Sequence, residues 1–102
     1  MNIKTEETPD PVAGVSVLRK LVAETDAPFH LTEFVVKRGE QTPVDEHEVA
    51  EIWHVQSGHG TLHFDGEDYK LEPGAWFHFP PGKSHRATCG EETDLQVLSI
   101  YW

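Results

Sequence analysis

Apolar and polar positions alternate over short distances through most of the second half of the chain. In IWHVQSGHGTLHFDGEDYKLEPGAWFHFPPG, residues 52–82, brief apolar runs are separated by SGHG, DGE and EPG. This punctuation predicts antiparallel strands joined by tight turns, with Asp65-Gly66 as a hairpin signal. FHLTEFVVKRG (29–39) is β-branched and aromatic and stops on a glycine, and LQVLSIYW (95–102) adds a closing strand. VSVLRKLVA (15–23) reads either as a strand or as a short helix. Residues 1–11 are polar and broken by proline, which predicts a flexible N-terminal arm outside the core. The expectation is an all-β fold over 12–102, a sandwich or small antiparallel β-barrel in which closure disposes of exposed strand edges.

Length and charge narrow the picture. A chain of 102 residues holds one domain. A domain of that size hides only about 60–65% of the surface its unfolded chain exposes, so a homodimer is expected to add stability. The net charge is −10, from 18 acidic against 8 basic residues. Such a surface repels phosphates and anionic lipid, which argues against nucleic acid and membrane as partners. Cys89 is the single cysteine, so neither an internal disulfide nor a multi-cysteine zinc site is available, and a reducing, cytoplasmic location is the expectation. No stretch reaches the length that spans a bilayer as a helix, and the N-terminus has no apolar leader core.

The chemistry gathers at PVDEHEVAE, residues 43–51. As a helix over 42–57, with Thr42 as cap and Gly58 as stop, it would place His47, Glu51 and His54 on one face. The zincin pattern H-E-x-x-H is not met, because the chain has HEVAE. As a turn leading into a strand at Glu51, the segment instead puts Asp45 and His47 on one face of extended chain. Glu51, Trp53 and Val55 then share a face of the strand.

The spacing along the rest of the chain separates these readings. Gly39 is followed by Asp45, His47, Glu51 and Gly58, and then Gly74 by Pro80, Gly82, His85 and Cys89. This order resembles the two motifs of the cupin superfamily, G-x5-H-x-H-x3-E-x6-G and G-x5-P-x-G-x2-H-x3-N, with the short spacer of small single-domain members. The resemblance implies a jelly-roll barrel, a double-stranded β-helix, with a metal in its mouth. Carried over position by position, it implies metal ligands at Asp45, His47, Glu51 and His85. The first histidine of the pattern is aspartate here, and the closing asparagine is Cys89.

With two carboxylates and two imidazoles the ligand set around one divalent transition metal is formally neutral. That favours Fe or Mn over copper, with Zn or Ni as alternatives. Aspartate is shorter than histidine, so Asp45 either binds the metal directly, reaches it through water, or stands free as a base, leaving a two-histidine, one-carboxylate set. Trp53 shares the parity of Glu51 and is expected to line the substrate pocket. In WFHF (76–79), His78 and Trp76 take one face and Phe77 and Phe79 the other, and His78 is carried as a second pocket candidate. The implied activity is a metal-dependent enzyme acting on a small polar metabolite by dioxygenase, decarboxylase, isomerase or lyase chemistry. The alternative is a non-catalytic small-ligand-binding or sensor module. The absence of a glycine-rich phosphate loop and of a G-x-S-x-G elbow leaves phosphate cradling and serine hydrolysis without support.

Overall fold

The computed structural model describes residues 2–102. Among the described residues there are nine strands: β1 Thr5–Val12, β2 Val15–Lys20, β3 His30–Val36, β4 Glu51–Ser57, β5 Gly60–Phe64, β6 Glu67–Leu71, β7 Trp76–Phe79, β8 His85–Cys89 and β9 Leu95–Tyr101. They form a six-stranded sheet of order β1-β2-β3-β9-β4-β7 and a three-stranded sheet of order β6-β5-β8. Every strand pairing is antiparallel. The all-β jelly-roll expectation is met, and the 42–57 segment is not a helix.

Side-chain parity builds the core between the two sheets. From the large sheet come Phe34 and Val36 on β3, Trp53 and Val55 on β4, Phe79 on β7, and Leu95 and Val97 on β9. The small sheet supplies Leu62, Leu71, Ala87 and Cys89. Trp53 packs edge-on against Phe34 and Phe79 with ring centroids 5.2 and 4.8 Å apart, a favourable aromatic geometry.

Turns follow the local chemistry. Between β5 and β6, Asp65 and Gly66 both have positive φ, 50° and 81°, as a two-residue type I′ hairpin requires. Residues 15–23 resolve into β2 and a short 3-10 turn, Val22–Thr25. The expected arm differs most: residues 5–12 form an edge strand whose backbone pairs with β2, Thr5 opposite Lys20 and Thr8 opposite Val17. Its polar side chains stay largely exposed, so the segment joins the sheet without joining the apolar core. Among the described residues no helix is long and apolar enough to cross a membrane.

Candidate metal centre

Three elements bring the site together. β4 enters the large sheet at Glu51, between β9 and β7, and points Glu51 and Trp53 inward. β8 begins at His85, which is 2% exposed. The connection from β3 to β4 runs alongside β8, held by Gln41 opposite Thr88 and Asp45 opposite His85. At the second bridge each backbone N–H donates to the other residue's carbonyl at 2.9 Å. Thr42 Oγ1 accepts the Ala87 N–H at 3.0 Å and fastens the same segment. The Gly82 N–H donates to the His47 carbonyl at 2.8 Å, tying the proline-glycine turn to the ligand segment.

His47, Glu51 and His85 converge, each offering one donor atom within 4.8 Å of the others. His47 Nε2 and His85 Nε2 each lie 3.0 Å from Glu51 Oε1. Their other ring nitrogens face backbone carbonyls, His47 Nδ1 at 3.1 Å from Val49 O and His85 Nδ1 at 3.3 Å from Lys83 O. A carbonyl only accepts, so both Nδ1 atoms carry hydrogen; Nε2 then either carries a second proton toward the Glu51 carboxylate, as in the His47 Nε2–Glu51 Oε1 hydrogen bond, or offers its lone pair to a cation. Glu51 Oε2 accepts from Trp53 Nε1 at 2.9 Å and from Ser99 Oγ, which holds the carboxylate so that Oε1 faces the two imidazoles.

These residues fit a metal ion. His85 Nε2 is buried and has no hydrogen-bond partner: it approaches Oε1 at ion-pair distance without the alignment of a hydrogen bond. Two donors about 2.1 Å from one cation and at right angles to each other are separated by about 3.0 Å, the spacing seen here. Each imidazole is also oriented through its second nitrogen, the usual support of metal-bound histidine. Burial raises the Glu51 pKa, but His85, Ser99 and Trp53 outweigh it and hold the group below the usual carboxylate range. Burial lowers the His85 pKa, yet the neighbouring Glu51 carboxylate and the Lys83 carbonyl leave it raised. The cluster thus favours positive charge, whether a proton or a cation.

Two candidate residues stand elsewhere. The Asp45 carboxylate is outside the converging group and lines the adjoining cavity instead. Its backbone is pinned opposite His85, and its side chain is shorter than the histidine of the motif. Burial and Glu51 push its pKa up while His85 and His47 pull it down, with a net rise. His78 points away from the cavity, a correction to its placement as a pocket residue. The register pairs Glu51 with Phe79 and Ile52 with His78, so the inward parity of Glu51 puts Phe79 inside and His78 outside, where its ring stacks near Trp102. Trp53 does line the cavity, and its indole N–H has the further role on Glu51. Ser99 was missed by the sequence reading. Its signal is a hydroxyl at an inward position of β9, in register with Leu95 and Val97 and opposite Trp53.

The family model described as Cupin domain matches residues 32–101, well over half the chain. Auxin-binding protein T92 from Nicotiana tabacum is 32% identical over 73 residues, covering 61% of this chain and 39% of that protein. The chain thus spans about two-fifths of that curated relative. A Thermotoga maritima structure described as a predicted oxalate decarboxylase superposes with a TM-score of 0.81 at 21% identity, covering 97% of this chain and 91% of that one. The polyketide cyclase RemF from Streptomyces resistomycificus gives a TM-score of 0.80 at 24% identity, covering 98% of this chain and 73% of that one. Both likenesses concern the fold.

Proposed function

Since the chain belongs to the cupin family, we propose that it is a metal-dependent cupin enzyme that holds one divalent transition metal at His47, Glu51 and His85. The observation that carries this reading is the buried, unpartnered Nε2 of His85, aimed at the carboxylate oxygen that His47 also faces. Two imidazoles and one carboxylate form the set used for ferrous iron with open positions, so iron or manganese is favoured over zinc or nickel. A divalent ion there supplies Lewis acidity toward a carbonyl, hydroxyl or carboxylate oxygen of the bound molecule. Trp53 walls the site and orients Glu51, while Asp45 accepts a hydrogen bond from the bound molecule. The reaction belongs to the dioxygenase, decarboxylase, isomerase or lyase types.

Elemental analysis of protein purified without a polyhistidine tag is expected to show about one equivalent of transition metal, lost in His47→Ala and in His85→Ala. Full metal retention by both variants would refute the assignment. An Asp45→Ala variant is expected to keep its metal.

A second reading, a non-catalytic ligand-binding module, is favoured by one observation, the similarity to a protein named for binding auxin. Metal-loaded protein that binds a small acid without converting it would support that reading. We also propose a homodimer formed through the outer face of the large sheet. Register places Leu31, Ile100 and Ile52 in one row on that face, and Leu98 in the next. Trp76 and Trp102 remain 59% and 49% exposed. Lys20 and Glu33 pair there at 3.8 Å. Light scattering is expected to give twice the chain mass, and monomer from Ile52→Glu.

A further inference from the structure

The metal ligands occupy one end of a larger space. A cavity of about 300 Å³ lies between the inner face of the large sheet and the segment carrying Pro43, Asp45, His47 and Val49. Glu51 on β4 and Val17 on β2 both line it, and in the sheet order β2-β3-β9-β4 they are three inter-strand steps apart. Register sets Val17 in the row of Phe34, Val97 and Val55, four residues along β4 from Glu51, so the far wall is separated from the ligands both across and along the strands.

That wall is apolar, made by Pro11, Val15, Val17 and Phe34. Four hydroxyl residues line the cavity: Thr42 Oγ1 is engaged with the Ala87 N–H and Ser99 Oγ with Glu51, while register sets Thr32 in the row of Ser99 and Trp53 and Tyr101 opposite Glu51. Polar capacity is therefore concentrated toward the end where His47, Glu51 and Asp45 meet the cavity. A polyol or a compact dicarboxylate filling this space would leave its outer oxygens facing Val17 and Phe34. Each buried polar group without a partner weakens binding by roughly tenfold or more.

We infer that the molecule taken by this site is an amphiphile, with a chelating oxygen head at the metal end and an apolar body of about aryl size lying across β9 and β3. The inference rests on the metal reading above and replaces the small polar metabolite expected from sequence. Val17 and Phe34 set the specificity by receiving the body, and Pro11 on β1 closes the far side, which gives the edge strand a part in recognition.

Pyruvate and phenylpyruvate share one chelating head and differ by an aryl group, so they serve as probes. Titrated calorimetrically into manganese-loaded protein, phenylpyruvate is expected to bind on the order of 50-fold tighter, from burial of about 100 Å² of apolar surface. Val17→Asp is expected to bring the ratio of the two affinities toward one. Pro11→Asp, at an exposed edge position that folding tolerates, is expected to lower the same ratio. Equal affinities in the wild-type protein, or metal-loaded protein that binds neither probe, would overturn the inference while leaving the metal site standing. Variants that weaken both probes in proportion would also overturn it. Failure of the protein to take up manganese, seen by elemental analysis, would remove the metal reading and the inference together.

Discussion

Ser99→Ala is a sharp test of how the site is held. Ser99 is 2% exposed, as is Trp53, and both donate to the same carboxylate oxygen, Glu51 Oε2. Removing the Ser99 hydroxyl takes away one of two donors at a place that bulk water does not reach. A hydrogen bond to a charged group contributes about 1.5–3 kcal/mol, and 1.4 kcal/mol is a factor of ten in affinity. Part of that loss falls on the stability of the metal-free fold. The remainder is expected to lower metal affinity by about 10- to 100-fold, the range typical of groups that orient metal ligands. Competition for zinc against a chromophoric chelator measures it directly, with a urea titration of the metal-free protein to record the folding share. Trp53→Phe keeps most of the ring packing and removes the other donor. The double variant is expected to depart from additivity, because both donors act on one oxygen. If Ser99→Ala folds normally and holds zinc within about twofold of the wild-type affinity, the two donors do not position Glu51, and the role assigned to them is wrong.

Other outcomes follow from the same geometry. Chelator-stripped protein is expected to melt roughly 10–20 °C below protein kept at about 100 times its metal dissociation constant, since that saturation contributes about 2.7 kcal/mol to a domain of this size; differential scanning calorimetry measures it. Gly58→Ala is expected to cost about 3 kcal/mol or more, because φ is +85° there and a Cβ would lie 2.2 Å from the Asp94 carbonyl oxygen; a lowered urea midpoint reports it. Cys89 is 3% exposed, and burial pushes its thiol pKa up. It is expected to react with a disulfide reagent at least about 100-fold more slowly in native protein than in denaturant.

Much of the fold was legible because its signals are local. Asp65-Gly66 announces its hairpin by φ preference alone, and alternation in β4 and β9 marks which side chains enter the core. Of the four residues that the family resemblance implied, His47, Glu51 and His85 do converge and Asp45 lies outside the group; motif spacing could indicate the three because it reports strand parity and turn length together. Gly58 shows why one motif glycine is needed: the backbone just after β4 passes against residues 94 and 95, a contact between segments far apart in the chain. His78 was not legible, since WFHF alternates bulky rings on both faces. Only pairing with β4 decides that Phe79, opposite Glu51, goes inside. β1 was misread as a loose arm because polar, proline-containing composition describes side chains, whereas strand pairing there is made by the backbone.

The amino-acid sequence by itself determined the β class and the turns, which depend on residue type and on short separations, and its motif spacing named four candidate donors, of which His47, Glu51 and His85 converge. Tertiary structure alone decided that Asp45 stands beside the His47–Glu51–His85 group, that Ser99 and Trp53 brace Glu51, and that the far wall of the adjoining cavity is apolar. Those outcomes depend on register between β2, β3, β9 and β4, strands up to some eighty positions apart along the chain. A shift of one residue in any of those pairings would turn every inward side chain outward, and no short stretch of sequence carries that information.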